Sequence, residues 1–253
     1  ENYDFNSLKV ITYGAAPMPI NVLVEAIRKF DNANFINAFG QTETAATITS
    51  LGPEDHKIEG TDEEKELKLK RLSSIGKPLP DVEVKIVNEN EEEVKPLIIG
   101  EIIAKGERIM SGYWNNDEAT RSVLKNGWLY TGDLGYIDLE GYIFLSGRAK
   151  DFIKRGGEMI SPEEIEQILY RHNSVDEVAV IGLPDDQWGE IVTAVIVTKS
   201  GIDMNVSEIT DYCKDKLSSY KRPEKIIFEN SLPRNSMGKI LKKDLRKKYS
   251  DLF

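Results

Sequence analysis

The chain has 253 residues, 40% of them hydrophobic and 30% charged, so it is long enough for one large domain or two of ordinary size. Its formal net charge of -10 at pH 7 argues against a protein that binds nucleic acid or a membrane surface, because basic patches would have to outweigh this acidic background. Its single cysteine excludes an internal disulfide and a cysteine metal cage, which suits a reducing compartment.

The N-terminal part of the chain alternates between strand and helix patterns. The chain opens with Glu1 in place of Met, and a strand-like run begins at Leu8, which indicates a piece of a longer protein. Residues 20–30 have apolar positions at helical spacing, and residues 32–40 return to a strand pattern. This βαβ order predicts parallel pairing of the two strands and a ligand crevice at their carboxyl ends.

The pattern changes in the middle of the chain. Residues 54–71 are highly charged and weakly patterned, and we expect a solvated loop or an exposed helix there. From there to about Gly147, short strands with alternating polarity, such as Val82, Val84 and Ile86, are separated by turns with glycine. Closely spaced strands of this kind predict a small antiparallel sheet or partial barrel.

The last part of the chain predicts a compact α+β unit. Ser161, Pro162 and Glu164 form a capping-box pattern at the start of one helix, and Asn205 caps a second. Strand patterns occupy residues 175–186, 190–201 and 224–230. The stretch LPRNSMGKILKKDLR, residues 232–246, is typical of a loop that opens onto a basic helix. The lysines behind Lys239 recur periodically, and we expect them to be solvated.

The change of periodicity at residues 148–151 predicts a domain boundary, with one domain over residues 1–147 and a second over residues 148–253. The predicted fold class is α/β plus α+β: part of a large α/β domain with a small antiparallel, barrel-like subdomain, followed by a compact α+β domain. No apolar run approaches the roughly 20 residues that cross a bilayer, and we expect a cytoplasmic protein.

The stretch FGQTETA, residues 39–45, carries residue types suited to nucleotide chemistry. Phe39 offers a ring face, Gly40 permits close approach of the backbone, Thr42 offers a hydroxyl for phosphate and Glu43 offers a carboxylate for a hard cation. A Thr-Glu pair after a strand is also a common helix cap, so the pattern alone allows either interpretation.

Two further stretches add candidates. Asp133 in YTGDLG suits a turn, in which Asp bonds its own backbone, or a carboxylate that accepts from ribose hydroxyls. The stretch GRAKDFIKRGGEMISPEEIE, residues 147–166, crowds cations and glycines at the predicted boundary, which favours a hinge that handles anions. Considered alone, Lys239 is either a solvated surface lysine or a lysine with a catalytic role.

Taken together, these stretches resemble the motifs of the acyl-adenylate-forming, or AMP-binding, superfamily, which includes acyl-CoA synthetases, the adenylation domains of peptide synthetases and firefly luciferase. The stretches that carry the resemblance are GAAPMP, FGQTE, SGYWNNDEAT, GWLYTGDLGYIDLEGY, GRAKDFIKRGGEMISPEEIE and PRNSMGKI. The resemblance runs from about residue 8 to residue 246. It implies ATP-dependent activation of a carboxylic acid, fatty or aryl, through an acyl-adenylate, followed by thioester formation with CoA.

The resemblance also implies roles for individual residues. The nucleotide site would comprise Gly14, Ala15, Phe39, Gly40, Thr42, Asp133 and Arg148. Phe39 would lie against adenine, Thr42 would contact phosphate and Glu43 would bind Mg²⁺, while Asp133 and Arg148 would hold the ribose.

The second domain would supply the moving parts. Lys239 would be the catalytic lysine that reaches the attacking carboxylate and the α-phosphate, and Lys150 would be the hinge about which the domain turns. Gly156 and Gly157 would border the channel for the pantetheine of CoA. The implied substrates are therefore a small carboxylic acid, ATP and CoA, with Mg²⁺ and without nucleic acid; the oligomeric state stays open.

Two departures from the family pattern qualify these expectations. The Ser/Thr/Gly-rich phosphate loop of the family has no counterpart in these residues, so we expect the chain as it stands to have negligible activity. Phe39 stands where many members have Tyr, which keeps stacking and loses a hydroxyl. Three alternatives stay open: an adenylation domain that loads a carrier protein, an oxidative luciferase, and a non-catalytic remnant that binds a nucleotide or a partner. KRGGEMISPEEIE resembles the CoA-using branch.

Overall fold

The computed structural model describes residues 3–16, 18–202, 204–236 and 238–250. Pro17 of GAAPMP and Met237 of PRNSMGKI lie outside the described residues. The chain divides into two compact units, Glu1–Ser146 and Gly147–Phe253.

The first unit opens with the predicted βαβ arrangement. Its elements are, in chain order, β1 (Val10–Gly14), α1 (Ile20–Lys29), β2 (Asn34–Phe39), β3 (Thr49–Leu51), α2 (Asp62–Arg71), β4 (Lys77–Pro78), β5 (Val82–Val87), β6 (Gly100–Gly106), α3 (Asp117–Val123), β7 (Leu124–Lys125), β8 (Trp128–Ile137) and β9 (Ile143–Arg148), whose last two residues belong to the second unit. β1 and β2 pair in parallel with Gly14 opposite Ala38, which confirms the prediction from periodicity, and β3 and β4 extend the sheet antiparallel. Leu23 of α1 is buried in one hydrophobic cluster with Phe35 of β2 and Phe144 of β9, so α1 packs on a core shared by these strands.

Residues 62–71 of the charged stretch form the exposed helix α2, one of the two predicted alternatives, whereas His56 near the start of the stretch is buried and not solvated as predicted. No residue of α2 is buried, so packing contributes little to it. The helix is instead stabilised at its N-terminus by a capping box. The Thr61 hydroxyl accepts from Glu64 N at 3.3 Å, and the Glu64 carboxylate accepts from Thr61 N at 2.7 Å. Acidic residues fill the first turn and basic residues the last, which opposes the helix dipole.

The predicted antiparallel sheet is also present. Its strand order is β5-β6-β8-β7, with β9 paired to β8. In β5, Val82 and Ile86 are buried while Glu83 between them is exposed, because successive side chains of a strand point to opposite faces. β8 carries the TGD sequence and pairs with β6, β7 and β9.

The second unit is the predicted α+β fold. Its elements are, in chain order, β10 (Ile153–Arg155), β11 (Glu158–Ile160), α4 (Pro162–Leu169), β12 (Val175–Asp185), β13 (Gly189–Thr198), α5 (Val206–Lys214), β14 (Lys225–Phe228) and α6 (Lys242–Tyr249). The sheet has the order β11-β10-β13-β12, with β14 parallel to β13. Val178 and Val180 of β12 belong to one core cluster, and Ala179 and Ile181 to another. β12 is therefore buried on both faces, which explains its continuous apolar run.

The helix caps of the second unit largely follow the sequence pattern. The Ser161 hydroxyl accepts from Glu164 N at 3.3 Å at the start of α4, and the Asn205 side chain accepts from Glu208 N at 3.1 Å at the start of α5. The carboxylate of Glu164, predicted to close a capping box, binds Lys221 Nζ at 2.7 Å and so ties α4 to the segment before β14.

One prediction for the C-terminal helix is wrong. Lys242, expected to be solvated, has a side chain only 13% exposed, and its Nζ lies 2.9 Å from Glu166 and 3.2 Å from Glu163. Burial opposes its charge, yet the two carboxylates of α4 outweigh burial and raise the pKa of Lys242. The reason for the error is helical spacing, because Lys242 lies on the same face of α6 as the buried Leu245 and Tyr249.

Within the described ranges, every helix is too short or too polar to span a bilayer.

Candidate nucleotide and catalytic site

The ends of β1 and β2 are shaped by close backbone contacts. A Cβ added at Gly14 would lie 2.2 Å from Ala38 O, and one at Gly40 would lie 2.3 Å from Ala46 O. Both glycines are therefore required for the chain to pack against itself, whatever ligand they border. Ala15 has a φ of 64°, in the left-handed region that side chains disfavour, and Ala46 has a φ of 79°. Backbone strain of this kind persists only where the surrounding structure enforces it, so the loops after β1 and β2 are held in their conformation by their neighbours.

The ring of Phe39 ends β2 in a half-buried position. It packs against two core clusters, one around Ile102 and one around Ala104. Its ring is thus held in place by the antiparallel sheet, and its predicted contact with adenine stays a prediction.

The turn Thr42–Thr44 carries the predicted phosphate and metal residues. Thr42 is exposed and Glu43 is half-buried. Glu43 Oε1 accepts from the Tyr113 hydroxyl at 2.8 Å, and Glu43 O accepts from Met110 N at 2.8 Å. The hydrogen bond to Glu43 and partial burial raise the pKa of Tyr113, so the phenol stays a donor. Tyr113 was not predicted as a site residue, and its only signal was its place in SGYWNNDEAT.

Asp133 is held beside the same turn by Gln41, which was not among the predicted site residues. Gln41 Nε2 donates to Asp133 Oδ2 at 2.7 Å and to Thr131 O at 2.8 Å. Asp133 is 6% exposed, and its backbone N donates to the Thr131 hydroxyl at 3.1 Å. Asp133 and the Thr42–Thr44 turn are thus assembled into one cluster, although Gln41 and Asp133 lie 92 positions apart.

A buried polar pair supports the end of β1. The Tyr13 hydroxyl lies 2.9 Å from His56 Nε2, and His56 Nδ1 lies 2.7 Å from Gly52 O. A carbonyl oxygen only accepts, so Nδ1 carries the hydrogen and Nε2 accepts from Tyr13. Burial lowers the pKa of His56 and raises that of Tyr13 to about 12, so both groups are neutral at neutral pH. Tyr13 directly precedes Gly14, which links this pair to the candidate site.

The second unit begins with the predicted ribose and hinge residues. Arg148 ends β9, and its carbonyl accepts from Phe152 N at 3.2 Å. Lys150 is exposed in the short turn Ala149–Asp151, and the carboxylate of Asp151 binds Arg246 Nη2 at 2.6 Å. This turn borders an open groove of about 430 Å³, whose lining residues are Ala149, Lys150, Phe152, Lys154, Gly189 and Glu190.

Gly156 and Gly157 form the tight turn between β10 and β11. Their φ values of 58° and 89° are both positive, as a two-residue hairpin turn of this kind demands. A Cβ at Gly156 would lie 3.0 Å from the ring of Trp188, whereas one at Gly157 would meet nothing within 4 Å. Trp188 is 42% exposed and lies under the guanidinium of Arg155 at 5.4 Å. The open backbone of this turn thus lies beside the flat ring of Trp188.

Lys239 lies in a short loop closed on itself. Lys239 N donates to Asn235 Oδ1 at 2.9 Å, and Asn235 N donates to Lys239 O at 2.9 Å. Arg234 donates to Gly238 O at 2.5 Å and binds Glu177 of β12 at 2.9 Å. The loop is therefore fixed to the sheet of its own unit, while the Lys239 side chain is exposed.

The chemistry of the first unit fits Mg²⁺. Among the described residues no group of three or more His, Cys, Asp or Glu could hold a metal ion, so the protein would supply few ligands. Mg²⁺ needs few, because it keeps several waters and binds substrate phosphates together with one or two carboxylates. Glu43, half-buried and held by a neutral phenol, is such a carboxylate.

The structure thus divides the predicted residues between the two units. Gly14, Ala15, Phe39, Gly40, Thr42, Glu43 and Asp133 lie in the first, and Arg148, Lys150, Gly156, Gly157 and Lys239 lie in the second. Within the first unit, the Thr42–Thr44 turn and Asp133 are joined through Gln41. Within the second, the Gly156–Gly157 turn and Lys239 belong to separate loops.

Comparison with known families matches both units. The family model described as "AMP-binding enzyme" matches residues 1–114, and the model described as "AMP-binding enzyme C-terminal domain" matches residues 164–239.

Curated relatives are similar over nearly all of the chain. A 2-succinylbenzoate–CoA ligase of Bacillus cereus is 36% identical over 247 residues, covering 98% of this chain and 48% of the relative. An indoleacetate–CoA ligase of Aromatoleum aromaticum is 34% identical, covering 97% of this chain and 46% of the relative. The chain spans about half the length of these relatives.

Solved structures are similar to the same extent. The o-succinylbenzoate CoA synthetase MenE from Bacillus subtilis, in complex with the acyl-adenylate intermediate OSB-AMP, is 36% identical with a TM-score of 0.82, covering 95% of this chain and 46% of that one. The amide bond synthetase McbA from Marinactinospora thermotolerans is 31% identical with a TM-score of 0.86, covering 97% of this chain and 47% of that one. From its two units, their motifs and these similarities, we conclude that the chain belongs to the family of AMP-binding enzymes.

Proposed function

We propose that the protein is an AMP-forming acid–thiol ligase that activates a carboxylic acid with ATP and transfers the acyl group to CoA. The observation that carries this proposal is the joining of the Thr42–Glu43 turn to Asp133 through Gln41, in a chain 36% identical to a CoA ligase. Because the relatives named above act on 2-succinylbenzoate and indoleacetate, an aryl acid is the proposed substrate class.

In this proposal the first unit binds the nucleotide. Asp133 accepts hydrogen bonds from the ribose hydroxyls, with Arg148 as a second ribose contact, and Phe39 lies against adenine. Gly14, Ala15 and Gly40 border the nucleotide with little side-chain bulk. The exposed hydroxyl of Thr42 contacts phosphate, and Glu43 holds Mg²⁺, for which the Tyr113 phenol keeps its carboxylate oriented. When bound, Mg²⁺ neutralises charge on the phosphates of ATP.

The first half-reaction forms a mixed anhydride. The carboxylate oxygen of the acid attacks the α-phosphorus of ATP, the bond to the β-phosphate oxygen breaks, and pyrophosphate leaves. Negative charge accumulates between the attacking oxygen and the α-phosphate, and the ammonium of Lys239 offsets it. The contacts of Arg234 and Asn235 support this role, because they hold the backbone of Lys239 in one shape while its side chain is exposed.

The second half-reaction uses a different loop of the second unit. The CoA thiol loses its proton to solvent and attacks the acyl carbonyl carbon as a thiolate, and AMP leaves with the electron pair of the anhydride bond. We propose Lys150 as the hinge, since it lies in an exposed turn four residues beyond the division between the units. The open backbone of Gly157 beside Gly156 and the ring of Trp188 would then border the pantetheine chain of CoA.

A different acyl acceptor is the second candidate. One structural neighbour is named an amide bond synthetase, so an amine is a specific alternative to the thiol. A carrier-protein thiol is the other alternative, and it would use the same first half-reaction. We further propose a cytoplasmic location, which the acidic composition and single cysteine favour.

The test is a substrate screen with the full-length product of the gene. Pyrophosphate release is measured with ATP, Mg²⁺ and a panel of aryl and fatty acids that includes 2-succinylbenzoate and indoleacetate, with and without CoA. We expect release with an aryl acid and a CoA thioester as product. Product formation with an amine in place of CoA would favour the amide alternative. Absence of pyrophosphate release with every acid would overturn the proposal.

A further inference from the structure

The side chain of Gln41 lies between the turn that follows β2 and the middle of β8. Its amide nitrogen has two partners, Thr131 O at 2.8 Å and Asp133 Oδ2 at 2.7 Å. Both partners are acceptors, so the NH₂ group of the amide faces β8. Its two hydrogens are thus directed at two atoms of one strand, which defines the orientation of the side chain.

The contact has a particular electrostatic consequence for Asp133. This residue is 6% exposed, and a buried carboxylate is costly unless donors surround it. Gln41 is a neutral donor, so it stabilises the carboxylate by a hydrogen bond. Unlike an arginine or a lysine, it adds no positive charge that would cancel the negative one. A carboxylate has about four acceptor positions, so it can accept from Gln41 and from further donors as well. The bond from Gln41 therefore holds one oxygen of Asp133 in place beside the turn.

The backbone of the same residue begins the Thr42–Thr44 turn. Gln41 N donates to Thr44 Oγ1 at 2.9 Å, and that hydroxyl donates to Gln41 O at 2.9 Å. Thr44 is fully buried, so this reciprocal pair is shielded from water. A displacement of Gln41 would therefore move the turn and Asp133 together.

We infer that Gln41 is a positioning residue that orients Asp133 relative to the Thr42–Glu43 turn and thereby selects nucleotides that carry both ribose hydroxyls. The inference rests on the proposed function, in which Asp133 binds ribose. A 2′-deoxyribose lacks one of the two donors for this carboxylate, so the preference for AMP over 2′-deoxy-AMP reports its orientation. A residue that only stabilised the fold would not change that preference.

The experiment compares binding of AMP and 2′-deoxy-AMP by calorimetry, using the full-length product of the gene. In the wild type we expect AMP to bind at least about tenfold more tightly than 2′-deoxy-AMP. Gln41→Met, which keeps the length of the side chain and removes both donors, should lose most of that preference, roughly tenfold. The matched control is Gln167→Met, the same change at an exposed position of α4, and it should keep the preference.

Two further variants make the result decisive. Gln41→Asn keeps the amide but shortens its reach by one methylene, so it should also lose preference; it decides the matter if circular dichroism shows that Gln41→Met is unfolded. In an Asp133→Asn background, Gln41→Met should cause no additional loss, because the two residues act as one unit. If the wild type does not bind AMP, the proposed function fails and the inference with it. If AMP binds without preference, or the folded Gln41 variants keep the wild-type preference, the inference alone is overturned.

Discussion

The Thr42–Thr44 turn of the first unit and the Lys239 loop of the second are held in different ways. The turn is fixed by side chains from distant parts of the chain, since Glu43 and Tyr113 are 70 positions apart and Gln41 and Asp133 are 92 apart. The Lys239 loop is closed by bonds that span four residues, from Arg234 to Gly238 and from Asn235 to Lys239.

This difference matches the tasks proposed for the two regions. A site that must keep the nucleotide in one place through both half-reactions benefits from anchors on several strands, because each anchor removes a way for it to move. A lysine that serves one half-reaction and is then withdrawn needs a loop that keeps its shape while its whole unit moves. Local bonds and the anchor on Glu177, in the same unit, satisfy that need.

The largest effect is expected for Lys239→Ala. Removal of the ammonium should lower the rate of adenylate formation by about 1,000-fold, the scale of a lost electrostatic group at a reacting centre. Formation of the thioester from supplied acyl-adenylate should change little, since the lysine would then be withdrawn. Single-turnover measurements of the two half-reactions check this, with Lys243→Ala, an exposed lysine of α6, as control. An equal loss in both half-reactions would contradict a role confined to the first.

The next largest effect is expected for Lys242, whose ion pairs hold α6, the helix that follows the Lys239 loop, against α4. Lys242→Met removes the cation that pairs with Glu163 and Glu166 and leaves two carboxylates close together in a mostly buried place. We expect the free energy of unfolding to fall by about 3 kcal/mol, as is usual when one partner of a buried ion pair is removed. Denaturant unfolding followed by circular dichroism measures it, with the exposed Lys247→Met as control. A loss below about 1 kcal/mol would show that the cluster contributes no more than a surface pair.

A smaller effect is expected for Arg234→Gln. The ion pair with Glu177 is partly exposed, so its own contribution to stability is small. The bond to Gly238 O, next to Lys239, should matter more for activity, and we expect roughly a fivefold slower adenylate formation with an unchanged KM for ATP. Arg234→Lys should restore part of the rate. A raised KM with an unchanged rate would show that Arg234 contacts the nucleotide and does not position the loop.

The smallest effect is a pH dependence of the first unit. The pKa of His56 lies below its ordinary value of 6.5, mainly because of burial, so the unfolded chain binds a proton before the folded one does. Stability from this group is complete above about pH 6.5 and is lost as the pH falls through the lower folded pKa. His56→Gln should therefore show a weaker decline of unfolding free energy between about pH 7 and pH 5 than the wild type. A decline in folded His56→Gln as steep as that of the wild type would contradict the assignment of this pH dependence to His56.

Several features of the fold followed directly from local patterns. The parallel pairing of β1 and β2 came from a strand–helix–strand order within 40 residues, and the caps at Ser161 and Asn205 came from side chains that bond the nearest turn. These features depend on interactions between neighbours in sequence, so periodicity and residue type are sufficient to find them.

The glycines show a limit of motif-based assignment. Gly14 and Gly40 were assigned to the nucleotide site by resemblance, and the structure shows that each is also required by a backbone contact, with Ala38 and Ala46 respectively. A motif shows that glycine is present at a position. Only the structure shows that a neighbouring backbone fills the space that a side chain would need there.

By itself the sequence determined the fold class, the family and the residues from which a nucleotide site would be built, because these depend on local patterns and on motifs in a known order. Only the tertiary structure decided that Gln41 joins Asp133 to the turn, that Tyr113 holds Glu43 and that Lys242 is buried. The helical spacing of Lys242 with Leu245 and Tyr249 indicates its face of α6, but not its partners. Each of these contacts joins residues 70 or more positions apart, and such partners are set by how strands and helices pack.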